Sequence, residues 1–205
     1  MIRFLGTSGF SYPGWKGHFY PKGTKPAGML AYYAERLSTV ELNAPFYKLP
    51  PRASFEKWAS EVGDDFSFAV KAPQRITHHK KLLGVEEELG AFFAALEGLG
   101  SKLGPSLFQL PPSFAKDTAR LEAFLALLPR DRLVAIEFRH ASWFEESTYA
   151  LLRAHGVALV GGDTGDDDKN PPLVSTAKHA YLRLRQDAYT DEELARWAER
   201  MAGLS

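Results

Sequence analysis

The chain has 205 residues, 45% apolar and 24% charged, which excludes a disordered chain and fits one large domain or two small ones. Its 25 Lys and Arg balance 25 Asp and Glu, which argues against a protein held to nucleic acid by phosphate neutralisation alone, while leaving a local basic patch open. No cysteine is present, so disulfides, thiolate metal sites, iron–sulfur clusters and thiol nucleophiles are excluded together. No apolar stretch reaches the length of a signal h-region or a membrane span, so a soluble cytoplasmic protein without a membrane partner is expected.

The first strand is predicted over Ile2–Gly6. The loop from Thr7 to Lys25 holds Phe10, Tyr12, Trp15, Phe19 and Tyr20 among six Gly and Pro residues. That is too many breakers for a helix and too aromatic for a solvated linker, so it reads as an ordered loop packed over one end of the domain. A helix is expected over Ala27–Arg36, with Leu30, Tyr33 and Ala34 at helical spacing. Strand two is Thr39–Leu42, followed by the Pro-rich loop Asn43–Pro51 and a helix over Ala53–Glu61. Strand three, Phe66–Lys71, precedes a loop with His78 and His79 and a helix over Val85–Leu99. Strand four is Ser106–Gln109, stopped by Pro111 and Pro112. Asp117 or Thr118 can cap the fourth helix, which ends before Pro129.

Strand five is Leu133–Phe138, followed by a helix over Glu145–His155 that Gly156 closes. Strand six is Val157–Gly161. The loop Gly162–Pro172 carries Asp166, Asp167 and Asp168, an acidic run that reads as a solvated tip rather than a metal site. Strand seven is Ala180–Leu184. Thr190 or Asp191 caps a last helix with Leu194, Trp197 and Met201 expected to face inward.

Strands alternating with helices imply a parallel sheet with right-handed crossovers. Seven strands with their helical connections nearly complete an eight-stranded barrel, so the fold class read here is a TIM-type parallel β/α barrel in a single domain. An open doubly wound sheet is the alternative. No GxGxxG follows strand one and no Walker-type GK[ST] occurs, which lowers the nucleotide-binding versions of that alternative.

Several segments carry a resemblance. They include Gly6-Thr7-Ser8-Gly9-Phe10-Ser11-Tyr12-Pro13-Gly14-Trp15, Val40-Glu41-Leu42-Asn43 with Phe46-Tyr47, and Phe68-Ala69-Val70-Lys71-Ala72-Pro73 with Ile76-Thr77-His78. Leu107-Phe108-Gln109-Leu110-Pro111-Pro112, Glu137-Phe138-Arg139-His140 with Trp143, and Tyr181-Leu182-Arg183-Leu184 complete the set. In this order they resemble the YecE-like TIM-barrel family, also called domain of unknown function 72. The resemblance implies an α/β barrel and no known reaction. Members of that family usually continue into a further strand and helix with an aromatic-Asn-Asn-Asp-like motif. The barrel is therefore expected to be incomplete at its C-terminal end, with self-association through open edges as one consequence.

In such a barrel the strand carboxyl ends converge on one face, which gathers the candidate site residues. Glu41, between Val40 and Leu42, is either a site carboxylate or half of a salt bridge. Lys71 ends strand three and can form a Schiff base, neutralise a phosphate or pair with Glu41. His78 lies in the loop that follows. Alternation puts Glu137 and Arg139 on one side of strand five, with the small Ala135 leaving space. Asp163 follows two glycines that allow close approach of the backbone to a ligand. Glu41, Lys71, His78, Glu137 and Asp163 are the catalytic candidates. Asn43, Tyr47, Gln109, Arg139, His140, Trp143, Arg183 and Arg185 are the substrate-binding candidates. Of these, His140 also reads as a loop cap, and Tyr47 as loop packing. Arg183 and Arg185 share a face of strand seven.

Cations mixed with carboxylates suit an enzyme acting on an anionic small molecule bearing phosphate or carboxylate. Glu41, Glu137, Asp163 and a histidine could instead hold a divalent metal, but no HxH or HExxH spacing supports this, and no cofactor is expected. Ser8 and Ser11 lack a GxSxG elbow, which weakens a Ser–His–Asp site. Two other classes stay open: a nucleic-acid processing or repair enzyme that binds bases on its aromatics, and a non-catalytic binding or scaffold protein.

Overall fold

Seven short runs, most of them rich in Val, Leu, Phe or Ala, become strands in the computed structural model of the chain, which describes residues 4–163 and 170–203. They are β1 (Gly6–Ser8), β2 (Thr39–Leu42), β3 (Ser67–Lys71), β4 (Leu103–Gln109), β5 (Val134–Glu137), β6 (Ala158–Gly162) and β7 (Tyr181–Arg183). They form one sheet in chain order. The β1–β2, β2–β3, β5–β6 and β6–β7 pairs are parallel, with Thr7 opposite Val40, Glu41 opposite Ala69, Ala135 opposite Ala158 and Gly162 opposite Arg183.

Parallel neighbours need a crossover, and helices supply most of them. These are α1 (Met29–Ala34), α2 (Ala44–Tyr47), α3 (Arg52–Ser60), α4 (Glu86–Leu96), α5 (Thr118–Leu127) and α6 (Glu146–His155), with α7 (Asp191–Ala202) after β7. This is the α/β architecture of a TIM-type barrel, with seven strands among the described residues. None of these helices is long and apolar enough to cross a membrane.

Local chemistry sets the helix ends. The Asp117 carboxylate accepts from Arg120 N at 3.0 Å and starts α5. Gly156, at φ 65°, closes α6 in the left-handed conformation that a side chain would strain. A capping box between Thr190 and Glu193 starts α7.

The described residues divide into two compact units. The first holds residues 4–76 and 84–106, the second residues 77–83, 107–163 and 170–203. In the first, Tyr33, Val40, Phe55, Phe68 and Phe92 are fully enclosed. Its aromatic loop is ordered: Trp15, Phe19 and Tyr20 pack ring on ring at 5.5 and 4.9 Å. Burial, aided by Tyr33, pushes the Tyr20 phenol up to about 12. In the second, Leu107, Phe108, Phe124, Ala135, Ile136 and Leu152 form the interior, with Phe108 edge-on to Phe124 at 5.2 Å.

Several elements depart from the sequence expectation. The first strand is assigned at Gly6–Ser8 rather than Ile2–Gly6, with Ile2 and Arg3 outside the described residues. Gly6 makes this pairing feasible: a Cβ there would lie 1.8 Å from Thr39 O. β4 starts at Leu103, three residues earlier than expected, because Gly104 packs so closely on the β3 edge that a Cβ would meet Ser67 Oγ at 2.4 Å. The predicted loop around His78 contains a π-helical turn, Arg75–His79. The helix expected over Val85–Leu99 ends at Leu96 and continues as 3-10 turns broken at Gly100 (φ 55°). On α7 only Trp197 is buried. Leu194 is 46% exposed, so the inward stripe expected there is a single anchor. The acidic run Asp166-Asp167-Asp168 lies outside the described residues.

Candidate functional site

In the second unit, β5 ends on Glu137, whose backbone carbonyl accepts from Leu110 N at 2.9 Å. Its side chain is 2% exposed. An ionised carboxylate so far from water is costly unless it is paired, and here three arginines pair it. Arg139 Nε and Arg185 Nη2 both donate to Oε1. Arg183 Nη1 donates to Oε2 at 2.6 Å. The pairing follows from strand geometry: Glu137 ends β5, Arg139 lies two residues on, and Arg183 ends β7 with Arg185 two beyond it.

Burial is the largest single influence on the Glu137 carboxyl and pushes its pKa up. The combined fields of Arg183, Arg185 and Arg139, with the Arg183 hydrogen bond, outweigh it and hold the group below the usual glutamate range. Glu137 is therefore ionised at neutral pH. Burial pulls the Arg185 guanidinium down, Glu137 offsets part of that, and Arg139 and Arg183 add repulsion. Three guanidinium groups thus converge on one carboxylate. Among the described residues, the buried Nε of Arg185 finds no hydrogen-bond acceptor.

Asp163 lies one residue past β6 and is 2% exposed. Its Oδ1 accepts from Arg185 N at 2.7 Å and its Oδ2 from the Tyr189 hydroxyl at 2.7 Å. Burial first, and then the bond to Asp163, push the Tyr189 phenol up. Tyr189 was not among the sequence candidates. It sits in the polar run Arg185-Gln186-Asp187-Ala188-Tyr189, where nothing marks it as a partner of a residue 26 positions earlier.

His140 Nδ1 accepts from Ser142 N at 3.2 Å and caps the 3-10 turn Ala141–Trp143. Trp143 is fully buried, stacked on Phe138 at 4.6 Å, and its indole N–H donates to Phe114 O at 2.7 Å. Its ring is spent on packing. Gln109 closes β4 half-buried, and the His78 Nδ1 lies 2.9 Å from the Thr77 hydroxyl.

The first unit carries its own cluster. Glu41, 6% exposed on β2, accepts from Ser8 Oγ at 2.7 Å, and Asn43 Nδ2 donates to the same Ser8 Oγ at 2.8 Å. Ser8 was considered from sequence only as a nucleophile. Its link to Glu41 follows from the β1–β2 register, which sets the two residues opposite each other. The Lys71 ammonium stands 4.0 Å from the Phe46 ring centroid in a cation–π contact. Tyr47 is 75% exposed. Thus Glu41, Asn43, Tyr47 and Lys71 belong to one unit, and the remaining candidates to the other. Among the described residues no three His, Asp or Glu side chains are grouped so that they could hold a metal ion.

A parallel α/β chain of this kind, with charged groups at its strand ends, is a TIM-type barrel protein. The chain belongs to the family described as Protein of unknown function DUF72, whose model matches residues 4–205. It is 34% identical over 157 residues to the UPF0759 protein YunF of Bacillus subtilis, covering 70% of this chain and 56% of that protein. It is 29% identical over 137 residues to the UPF0759 protein YecE of Escherichia coli, covering 64% and 50%. The chain thus spans about half the length of these curated relatives. A crystal structure of a DUF72 family protein from Thermotoga maritima superposes with a TM-score of 0.87 at 33% identity, covering 98% of this chain and 87% of that one. A second, from Enterococcus faecalis, superposes at 0.73 and 23% identity over 88% of this chain and 83% of that one, and shows the shared fold.

Proposed function

We propose that this protein is an enzyme acting on a small anionic molecule, bearing phosphate or carboxylate, gripped at the ends of β5 and β7. The observation that carries the proposal is the set of three arginines converging on the single buried carboxylate of Glu137. The three guanidinium groups supply planar donor forks suited to an oxyanion. Arg139 and Arg185 keep 32% and 24% of their side-chain surface open to solvent, so the cluster is reachable from outside.

In this reading Glu137 is the fixed counter-ion that gathers and aligns the arginines. A carboxyl held below its ordinary range is a weak proton acceptor, so its part is orientation rather than proton transfer. The enzymatic half of the proposal rests on the fold, because TIM-type barrels carry their active sites at the strand carboxyl ends.

Calorimetric titration with inorganic phosphate at low salt, with acetate as the carboxylate arm, tests the proposal. Saturable binding is expected, weakened about tenfold or more by Arg183→Gln, which removes one charged donor. No binding of either anion, with a melting temperature indifferent to both, would refute it. A steeply salt-dependent affinity for single-stranded DNA in place of phosphate binding would move the assignment to a nucleic-acid substrate.

A further inference from the structure

We infer that Asp163 is a positioning residue: it latches the turn between β7 and α7 and so sets the place of Arg185 in the cation cluster. The inference rests on the anion reading above for its consequence, but on its own geometry for the latch.

Asp163 is tied to the end of β7 and to this turn at three points. Its backbone N–H donates to Arg183 O at 3.2 Å. Its Oδ1 accepts from Arg185 N at 2.7 Å, at the start of the turn. Its Oδ2 accepts from the Tyr189 hydroxyl at 2.7 Å, at the end of the turn. The Tyr189 oxygen in turn accepts from Gln186 N at 2.8 Å, which closes the loop on itself. Tyr189 directly precedes Thr190, the cap of α7, so the same carboxylate also fixes where that helix begins.

The approach depends on Gly162. Its φ is +144°, and a Cβ there would lie 2.0 Å from Arg183 O. Any larger residue would push the end of β6 away from β7 and carry Asp163 out of reach.

Each Asp163 oxygen thus has a donor from the turn, and the carboxylate is 2% exposed. What it holds is the backbone of Arg185, whose guanidinium reaches the Glu137 carboxylate. A long arginine on a loose turn spreads over many rotamers. With its backbone pinned by Asp163 and its guanidinium bonded to Glu137, Arg185 samples fewer of them, which favours binding because less freedom is lost when the ligand arrives.

The test is made on the full chain with Asp163→Ala, Tyr189→Phe, Arg185→Gln and the double variant Asp163→Ala/Arg185→Gln. The first readout needs no ligand. The Arg185 Nε–Hε NMR signal, identified by its loss in Arg185→Gln, is expected to broaden and exchange faster with water in Asp163→Ala. An unchanged signal overturns the inference. The second readout is phosphate affinity by titration. Asp163→Ala is expected to weaken binding about tenfold in the parent, as for loss of an aligned charged donor, and less than about twofold when Arg185 is already Gln. Equal losses in both backgrounds overturn the inference, because Asp163 would then act independently of Arg185. If the parent protein binds no phosphate, the anion reading falls and the NMR signal alone decides the latch. Tyr189→Phe removes one bond and leaves the carboxylate in place. It carries the same two measurements, with smaller changes in the same direction, should Asp163→Ala fail to fold.

Discussion

Replacing Glu137 by Gln keeps the shape of the side chain and removes the negative charge on which three guanidinium groups converge. Arg183, at 14% side-chain exposure, and Arg185, at 24%, then lose the Glu137 carboxylate as an ion-pair partner. Removing one partner of a buried ion pair costs about 3–5 kcal/mol, because the charge left behind has lost both water and its partner. For a chain of this size each kcal/mol moves the melting temperature by about 2–4 °C, so a fall of roughly 6–20 °C is expected. Arg139→Gln is the internal control. Its side chain is 32% exposed and its loss leaves two arginines on the carboxylate, so it should cost about 1 kcal/mol or less. Phosphate should also rescue Glu137→Gln more than it stabilises the parent, since an anion bound beside the arginines restores part of the lost negative charge. At a concentration 100 times its Kd the gain is about 2.7 kcal/mol. Differential scanning calorimetry with and without phosphate reads all three quantities. Equal melting temperatures for Glu137→Gln and Arg139→Gln, with no rescue, would refute the idea that Glu137 is the counter-ion of a charged cluster.

Other outcomes follow from the same structure. The Glu137 pKa is depressed in the folded state, so its stabilisation is complete above the ordinary glutamate value of about 4.3 and is lost as pH falls through the folded value; urea melts in acid should show this limb flattened in Glu137→Gln. His179 is held neutral by burial, with its bond to Val134 O only partly offsetting that, so its contribution is full above about pH 6.5 and declines below it. His179→Gln should remove that decline in the same melts. Thr190→Ala opens the capping box of α7 and should cost about 1 kcal/mol, seen as a small drop in melting temperature. Gly6→Ala drives a Cβ into Thr39 O and should cost about 1–3 kcal/mol, with loss of amide protection along β1 and β2.

Much of the architecture was legible from local pattern. β2 matches its predicted span, Thr39–Leu42, because a β-branched and apolar run ends at an Asn and a Pro-rich turn. The caps at Asp117, Gly156 and Thr190 were readable because a cap is chemistry within a few residues of chain. So was the shared side of Glu137 and Arg139, since alternation along an extended segment places i and i+2 together. The boundaries of β1 and β4 were not legible. Gly6 and Gly104 look like breakers in one dimension and serve as close-approach points in three.

The site divides the same way. Residue types and strand ends nominated Glu137, Arg139, Arg183 and Arg185, but only the tertiary structure put all three guanidinium groups on one carboxylate. It alone joined Asp163 to Tyr189 and set Ser8 against Glu41. It also enclosed Trp143 and left Leu194 exposed. The physical reason is that propensity, alternation and capping act over a handful of residues and are written in the sequence. Charge pairing and burial depend on which distant segments share a volume, and that is decided by the register of β5, β6 and β7.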